Sequence, residues 1–331
     1  MQAQLSDLSA RKQVALLRPL VTDLLHHYSL AGAEIHLLLH SFNTTFKIVH
    51  QGRKFALRVN MNSFHDHAAV LAEVQWLVQL RAQGFPAASP VAGIDGSFVT
   101  QVQIPGFEKI HDAVLFEWLP GSVVADAPST SKWFEAGRLM AELHQISKDW
   151  SPAAPARFPM VDDALMASDF NLPTTNNQSI SDQLREAATA QISQSTHALA
   201  NFGKNHALQP IHTDMHGHNI MSNRGRLTVF DFDDSGLGHA VQDLANAIFY
   251  IRDEPTFEEA LLAGYSSVGP LPNFAEADFE GLLVSRTILL LNDLLTSSNA
   301  ELYGLIPEYS KKVLWRIQNY RDTGRFLLSA Q

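Results

Sequence analysis

The periodicity of apolar residues changes along this chain at Pro120 and Gly121. Before that point, a helical stripe at 11–28 precedes short runs with the alternation and the β-branched residues typical of strands. After it, the stretches with helical period are 133–147, 180–201, 239–252, 256–265, 276–296 and 308–328. Strands and helices that are segregated in this way predict an α+β fold with two domains, a β-rich one at 1–120 and a helical one at 121–331.

The strand-like runs of the first domain predict an antiparallel sheet. AEIHLLL, TTFKIV and RKFALRVN are three strands, and a tight turn at Gln51 and Gly52 joins the last two. Asp95-Gly96 predicts a hairpin between PVAGI and SFVTQVQ, and AVLFEWLPG forms a further strand. Because hairpins join antiparallel strands, we expect an antiparallel sheet with one internal helix at 65–84.

Composition excludes several classes of site and partner. The chain has 331 residues and no cysteine, which excludes disulfides, thiolate nucleophiles and cysteine-based zinc sites. The net charge of -10 argues against binding to nucleic acid or to an anionic membrane. MQAQLSDLSARKQVALL lacks the pattern of a signal peptide, and no apolar run approaches the roughly 20 residues that span a bilayer. We therefore expect a soluble, cytoplasmic protein.

The segment 211–234, IHTDMHGHNIMSNRGRLTVFDFDD, holds the densest set of chemically active side chains. One interpretation is the transition-metal site of a hydrolase, with His212, His216 and His218 as nitrogen ligands. The other is phosphoryl transfer, which needs a carboxylate beside the attacking hydroxyl and oxygen ligands for Mg²⁺. His-x-Asp-x-x-x-x-Asn followed by Asp-Phe has the arrangement that protein kinases use, with Asp214 as the base.

The full motif, with Asp231 in the next strand-like run, resembles the signature of the aminoglycoside phosphotransferase and choline kinase-like superfamily, His-Gly-Asp-x-His-x-x-Asn and a later Asp. Thr213 replaces the usual glycine. The resemblance implies a bilobal, protein kinase-like fold, with a small antiparallel-sheet lobe and a larger helical lobe. It also implies that ATP and Mg²⁺ are used, that Asp214 orients the acceptor hydroxyl, that Asn219 and Asp231 bind the metal, and that His216 is structural.

Several neighbouring residues have expected supporting roles. Of Asp233 and Asp234, one faces the metal or the acceptor and the other caps the following turn, and we assign Asp233 to the metal. The resemblance makes Asp243 a structural brace of the motif. His144 is interpreted as a scaffold residue, because a lone histidine on an apolar helix face is usually packed. His218 has no assigned role.

The first domain resembles the nucleotide side of the same superfamily. In FALRVN, Arg58 takes the place of the lysine that contacts the α and β phosphates. Ala56 projects to the same face, since strand side chains alternate, and leaves room for a purine. Glu73, in the following helical segment, is the expected partner of Arg58. Without the resemblance, the two residues would be interpreted as an ordinary surface ion pair.

Two other segments of the first domain resemble nucleotide-binding elements. AVLFEWLPG resembles the hinge, where the Glu117 carbonyl and the Leu119 amide would bind adenine; the alternative is a buried strand that ends in a turn. FNTT, at 42–45, occupies the position of the phosphate-covering loop, although it lacks Gly-x-Gly-x-x-Gly. Backbone amides there, or the side chains of Asn43 or Thr44, would contact phosphate.

The resemblance implies that the acceptor is the hydroxyl of an amino alcohol, a homoserine-like metabolite or a sugar, or else of a protein serine or threonine. Residues 160–175 and 276–300 would bind it, together with acidic side chains near Asp214 that suit a cationic or hydroxyl-rich molecule. A nucleotide-binding pseudokinase with a regulatory role is the alternative from another class. The presence of Asp214, Asn219 and Asp231 together argues against it, because a pure binder needs no base.

Overall fold

The structure, a computed structural model, describes residues 8–41, 43–61, 65–297 and 300–329. The chain forms two units, Met1–Pro120 with Pro152–Arg157, and Gly121–Ser151 with Phe158–Gln331. The sequence assigns 152–157 to the helical domain, but hydrogen bonds attach this segment to the first unit. Ala153 N–H donates to the Gln75 side chain at 2.8 Å, and Arg157 N–H donates to the Ala68 carbonyl oxygen at 2.9 Å.

The first unit consists of a sheet and two helices. Its described elements are α1 (Ala10–His27), β1 (Glu34–His40), β2 (Thr44–His50), β3 (Arg53–Val59), α2 (His67–Ala82), β4 (Val99–Gln103) and β5 (Ile110–Glu117). All paired strands are antiparallel, in the order β1-β2-β3-β5-β4. The predicted antiparallel sheet with one internal helix is therefore confirmed.

The two faces of β3 pack against different helices. Leu57 lies in a core that also contains Leu17 of α1. Because strand side chains alternate, Arg58 projects to the other face. There Val74 of α2 packs with Val114, the residue of β5 that is paired with Arg58. The alternation of β3 thus points the arginine toward α2, which carries Glu73.

The predicted hairpin at Asp95-Gly96 is wrong. Residues 90–94, all of them described, form no strand, and β4 pairs with β5 instead. Pro90 has no N–H for a ladder and makes an isolated bridge to Phe116. Asp95 uses its side chain to accept Ser97 N–H at 2.9 Å, which closes a local turn without flanking strands.

The second unit is mainly helical. Its described elements are β6 (Ser122–Val123), α3 (Thr130–Ser147), α4 (Asp182–Gly203), β7 (Gln209–Ile211), β8 (Ile220–Asn223), β9 (Arg226–Val229), β10 (Gly236–Gly238), α5 (Ala240–Ile251), α6 (Pro255–Ser266), α7 (Glu276–Thr296), α8 (Ala300–Tyr303) and α9 (Ile306–Thr323). β6, β8 and β9 form one small sheet, and β7 pairs with β10. The predicted helices are confirmed, but the last ends at Thr323, before 328, because Gly324 caps it with a left-handed φ of 72°.

Helices α3 and α6 approach each other closely at two glycines. A Cβ at Gly137 would lie 1.9 Å from a backbone oxygen of α6, and a Cβ at Gly264 would lie 1.8 Å from a backbone oxygen of α3. Any larger residue would push the helices apart. This approach places the Tyr265 hydroxyl of α6 2.9 Å from His144 Nδ1 of α3.

Helix α7 packs against α4, α5 and α9 and is buried along most of its length. Its residue Asn292 fixes the segment before α4, because its Oδ1 accepts Asn171 N–H at 2.8 Å and its amide donates to the Asp169 carbonyl oxygen at 2.8 Å. In the described part of the chain, no helix has both the length and the hydropathy that a membrane span requires.

Candidate active site

The loop 212–219, between β7 and β8, is held by a fully buried aspartate of α5. Asp243 Oδ2 accepts His212 N–H at 3.0 Å, and its Oδ1 accepts Thr213 N–H at 2.6 Å. The Asn246 amide donates to the Thr213 carbonyl oxygen. These bonds hold Thr213 at φ 66°, a left-handed conformation that glycine adopts without strain, which explains the glycine of the superfamily signature at this position. The prediction that Asp243 braces the motif is confirmed.

His144 is a further partner of Asp243. Its Nε2 lies 2.9 Å from Asp243 Oδ2, and its Nδ1 lies 2.9 Å from the Tyr265 hydroxyl. Burial raises the pKa of Tyr265, so the phenol keeps its proton and donates to Nδ1 while Nε2–H donates to Asp243. The interpretation of His144 as a scaffold residue is therefore confirmed.

His212 and His216 use both ring nitrogens in hydrogen bonds. Burial lowers the pKa of His212, whose Nδ1 accepts Asp214 N–H at 3.3 Å and whose Nε2 donates to the Phe230 carbonyl oxygen at 3.1 Å. His216 Nδ1 accepts His218 N–H at 3.1 Å, and its Nε2 lies 3.2 Å from Asp214 Oδ2. The His218 side chain is exposed, and no three His, Asp or Glu side chains of the described residues form a metal-binding group. The geometry does not support the histidine metal centre of a hydrolase.

The Asp214 carboxylate receives three charged or polar donors. Its Oδ1 lies 2.6 Å from Arg286 Nη2, and its Oδ2 lies 2.9 Å from Asn219 Nδ2 and 3.2 Å from His216 Nε2. Burial opposes ionisation, but Arg286 and His216 outweigh it and lower the pKa of Asp214. The carboxylate is thus ionised and has a defined orientation.

Asn219 and Asp231 lie at the same end of the β8–β9 hairpin. The Phe230 N–H donates to the Asn219 carbonyl oxygen at 3.0 Å, and Asp231 is the next residue along the chain. The Asn219 amide nitrogen donates to both the carbonyl oxygen and Oδ2 of Asp214, each at 2.9 Å, so its Oδ1 is the atom left to contact a cation. Asp231 has an exposed side chain and a φ of 64°. An amide oxygen and a carboxylate are donors that Mg²⁺ accepts. Asp233, two residues beyond, is half-buried, and its metal role stays a prediction.

In the first unit, Arg58 and Glu73 form a two-pronged ion pair. The distances are 2.8 Å from Nη1 to Oε1 and 2.5 Å from Nη2 to Oε2, and the two side chains are only 7% and 3% exposed. Arg58 Nε also donates to Asn60 Oδ1 at 3.3 Å. The alternative of an ordinary surface pair is therefore wrong, since α2 and the sheet enclose both partners. Their contact with nucleotide stays a prediction.

The other predicted nucleotide residues of the sheet lie on β3 and after β5. Ala56 is half-buried and, because side chains alternate, shares a face of β3 with Arg58. Glu117 is exposed at the end of β5, and its N–H donates to the Ser89 carbonyl oxygen at 2.9 Å. Leu119 is half-buried in the irregular segment that follows.

The predicted phosphate-covering loop is less favourable for side-chain contacts. Thr44 is fully buried and its hydroxyl lies 2.8 Å from His40 Nδ1, so it is committed within the β1–β2 pair. The Asn43 carbonyl oxygen accepts Ser41 N–H at 2.9 Å, which closes a tight turn. Phe42 lies outside the described residues. The geometry argues against a phosphate contact by the Thr44 side chain and leaves Asn43 as the better candidate.

Comparison with known proteins decides the family. The model of the phosphotransferase enzyme family matches residues 40–279 of this chain. The chain belongs to the phosphotransferase enzyme family. The match includes both the Arg58–Glu73 pair and the loop 212–219, so the resemblance inferred from these residues is confirmed, and the protein is a phosphotransferase.

Known relatives of this phosphotransferase share its fold. The amicoumacin kinase of Bacillus subtilis (strain 168) is 20% identical over 290 residues, covering 85% of this chain and 82% of the relative. The structure of a microcompartment-associated aminopropanol kinase is 23% identical, covers 94% of this chain and 100% of that chain, and has a TM-score of 0.76. An amicoumacin kinase in complex with AMP-PNP and Ca²⁺ is 17% identical, covers 92% and 96% of the two chains, and has a TM-score of 0.75. The predicted kinase-like α+β fold is thereby confirmed.

Arg286 is a residue of the candidate site that the sequence does not predict. It lies on α7, 72 residues from Asp214, in the apolar run LLVSRTILLL. Burial disfavours its charged form, but Tyr250 and Asp214 outweigh burial and raise its pKa, so the guanidinium stays charged. A single arginine in the centre of an apolar helix was the available signal, because buried charges are nearly always paired.

Proposed function

We propose that this phosphotransferase uses Mg²⁺ and transfers the γ-phosphoryl group of ATP to a hydroxyl of a small cationic molecule, with an amino alcohol as the first candidate. The observation that carries the proposal is the environment of Asp214. Arg286 keeps this carboxylate ionised, and Asn219 and His216 fix its orientation. An ionised carboxylate held in this way is suited to orient an attacking hydroxyl and to accept its proton.

The reaction is a direct in-line transfer. The acceptor oxygen forms a bond to the γ-phosphorus, and the bond from that phosphorus to the oxygen bridging the β and γ phosphates breaks. The proton of the hydroxyl passes to Asp214. The products are a phosphate ester and ADP.

Oxygen donors of the second unit would hold the metal. The Oδ1 of Asn219 and the carboxylate of Asp231, with Asp233 beside them in sequence, are the assigned ligands of Mg²⁺, which when bound offsets phosphate charge. The position of Asn219 Oδ1 is fixed because the amide nitrogen of the same side chain donates to Asp214. The base and a metal ligand are thereby linked within one loop.

The first unit would bind the nucleotide. Arg58, held by Glu73, offsets the charge of the α and β phosphates, whereas Ala56, Glu117 and Leu119 surround the adenine. Asn43 contacts phosphate from its turn. The choice of ATP is supported by the structurally similar amicoumacin kinase, which was solved with AMP-PNP and Ca²⁺.

Acidic side chains near Asp214 support a cationic acceptor. Burial raises the pKa of Asp293 to about 7, Arg286 opposes the shift, and the nearby Asp234 and Asp214 add to it. Burial and neighbouring carboxylates disfavour the ionised form of Asp293, and a cation that binds beside it would stabilise that form. A small molecule with an amine and a hydroxyl provides both a positive charge for the acidic side chains and a hydroxyl for Asp214. The aminopropanol kinase, a structural neighbour, also supports this class of acceptor. Homoserine-like metabolites, sugars and protein serine or threonine are the other candidates.

An ATP-consumption screen tests the proposal. Purified protein with Mg²⁺ and ATP is offered pooled amino alcohols, hydroxy amino acids, sugars, aminoglycosides and a protein substrate, and ADP formation is measured. We expect stimulation by a cationic hydroxyl compound in the wild type and only a small residual rate in Asp214→Asn. Nucleotide binding without transfer by either protein would establish the pseudokinase, and stoichiometric zinc in the purified protein would establish the hydrolase.

A further inference from the structure

We infer that Arg286 is a positioning residue, which turns Asp214 so that Oδ1 receives the acceptor hydroxyl. This inference rests on the proposed function and deepens it. It gives α7 a role in the site and assigns different roles to the two oxygens of the Asp214 carboxylate.

The hydrogen bonds of Asp214 distinguish the two oxygens. A carboxylate oxygen has two lone pairs. Among the bonds formed by the described residues, Oδ2 accepts from Asn219 and His216, and Oδ1 accepts from Arg286. Oδ2 is therefore saturated, whereas Oδ1 has one lone pair left. The acceptor hydroxyl donates to Oδ1, beside the guanidinium.

Arg286 is itself held in place by α7 and by an aromatic ring. Its side chain is only 10% exposed, and its Nη2 lies 3.4 Å from the Tyr250 hydroxyl. The same Tyr250 ring lies against His216, with 4.2 Å between ring centroids. One tyrosine thus contacts the donors of both Asp214 oxygens, so the carboxylate cannot rotate unless this whole group moves.

Incomplete hydrogen bonding separates Arg286 from the structural arginines of the second unit. Its Nε is buried and has no hydrogen-bond partner among the described residues. Arg316 has partners for all three guanidinium nitrogens, with Nε and Nη2 at 3.0 and 2.9 Å from the Leu328 carbonyl oxygen and Nη1 at 2.7 Å from Thr287 Oγ1. A buried arginine that leaves a donor unsatisfied is a costly way to stabilise a fold. The contact of Arg286 with Asp214 accounts for a buried arginine at this position despite its unsatisfied Nε.

The test measures Arg286→Ala and Arg286→Lys, alone and with Asp214→Asn, using Mg-ATP with 1-amino-2-propanol as acceptor and Mg-ATP without acceptor. We expect Arg286→Ala to lower kcat on the order of a hundredfold, as for a misplaced reacting group. KM for ATP should stay unchanged, and Arg286→Lys should recover part of the loss. In the Asp214→Asn background, Arg286→Ala should have almost no further effect, because a positioning residue acts only through the group it positions.

Arg316→Lys is the matched control, since it alters a buried arginine of the same unit that does not contact Asp214. It should lower the thermal midpoint and leave kcat unchanged. If Arg286→Ala does not fold, Arg286→Lys and Tyr250→Phe carry the test, with thermal unfolding and AMP-PNP calorimetry as readouts of folding. The inference would be overturned if Arg286→Ala lowered kcat as much in the Asp214→Asn background as in the wild type, or if Arg286→Ala changed KM and left kcat unaltered. Either result would leave the proposed function intact. Wild-type protein that consumes no ATP with any acceptor would overturn both.

Discussion

Arg58 with Glu73 in the first unit and Arg286 with Asp214 in the second are both buried pairs of an arginine and a carboxylate, and they use the carboxylate differently. Glu73 gives both oxygens to one guanidinium, at 2.8 and 2.5 Å. Asp214 gives Oδ1 to a single guanidinium nitrogen at 2.6 Å and divides Oδ2 between two other residues. The two parallel bonds of Glu73 fix the orientation of Arg58, which is a structural role. Asp214 has a free lone pair on Oδ1 and is held by three different residues, so it can also accept a hydrogen bond from a substrate.

The comparison predicts that loss of the Asp214 charge has the largest effect on turnover. Asp214→Asn keeps the size of the side chain and removes the proton acceptor, so kcat should fall by roughly a thousandfold or more. AMP-PNP affinity measured by calorimetry should change little, because Asp214 is assigned to the acceptor hydroxyl and not to the nucleotide or the metal. A variant that keeps more than a tenth of the wild-type kcat would show that another group orients the hydroxyl.

Loss of the Arg58–Glu73 pair should instead affect stability and the KM for ATP more than kcat. Glu73→Gln leaves the buried Arg58 charge uncompensated, which should lower the free energy of unfolding by on the order of 3 kcal/mol. The KM for ATP should rise as Arg58 loses its orientation, with a smaller change in kcat. Denaturant unfolding and steady-state kinetics measure the two effects.

The control for the Arg58–Glu73 pair is an ion pair that is about one-third exposed. Arg138 bonds to Glu135 at 2.7 Å and to Glu142 on the surface of α3. Glu142→Gln should change the free energy of unfolding by less than about 0.5 kcal/mol and leave the KM for ATP unaltered, because helix ion pairs that water reaches contribute little. Equal losses for Glu73→Gln and Glu142→Gln would contradict the distinction between buried brace and surface pair.

The two pairs also differ in how well they can be predicted from sequence. Glu73 follows Arg58 by 15 residues, in the next helix, so local patterns and the superfamily resemblance suffice. Arg286 is 72 residues from Asp214, and its helix has the periodicity of any buried helix. A contact between distant elements depends on packing that residue spacing does not encode. Asp243 lies between these cases, because the resemblance predicts it as a brace although its partners precede it by 30 residues or more.

Most of the fold follows from local patterns, and the exceptions have local causes. Alternation predicts β1, β2, β3 and β5, and the helical stretches match the observed helices to within a few residues. The hairpin at Asp95-Gly96 fails because the residues on either side of Pro90 hydrogen-bond to β5, and because Asp95 closes the turn with its own side chain. The phosphate contact expected of Thr44 is weakened by a hydrogen bond to His40, a residue of the neighbouring strand. Such bonds depend on register, which the sequence does not show directly.

The smallest predicted effect concerns Asp293, which lies beside the Arg286–Asp214 pair but carries no assigned catalytic step. Burial raises its pKa from 3.8 to about 7 in the folded protein. A group whose folded-state pKa is raised stabilises the fold fully at low pH, and this contribution is lost as the pH rises through 7. Asp293→Asn cannot ionise, so its thermal midpoint should exceed that of the wild type at pH 8 by roughly 2 °C or more and equal it near pH 4.

The same substitution tests whether this carboxylate attracts the acceptor. Once ionised above pH 7, Asp293 should lower the KM of a cationic acceptor such as 1-amino-2-propanol, and Asp293→Asn should raise that KM about fivefold at pH 8, the equivalent of one screened charge interaction. At pH 6 the two proteins should have similar KM values, because the wild-type carboxylate is then protonated. Glu276→Gln, an exposed change on the same helix, should show neither effect. A KM that is independent of pH in the wild type would mean that the acceptor binds away from Asp293, and that the acidic side chains near Asp214 serve the metal and Arg286 alone.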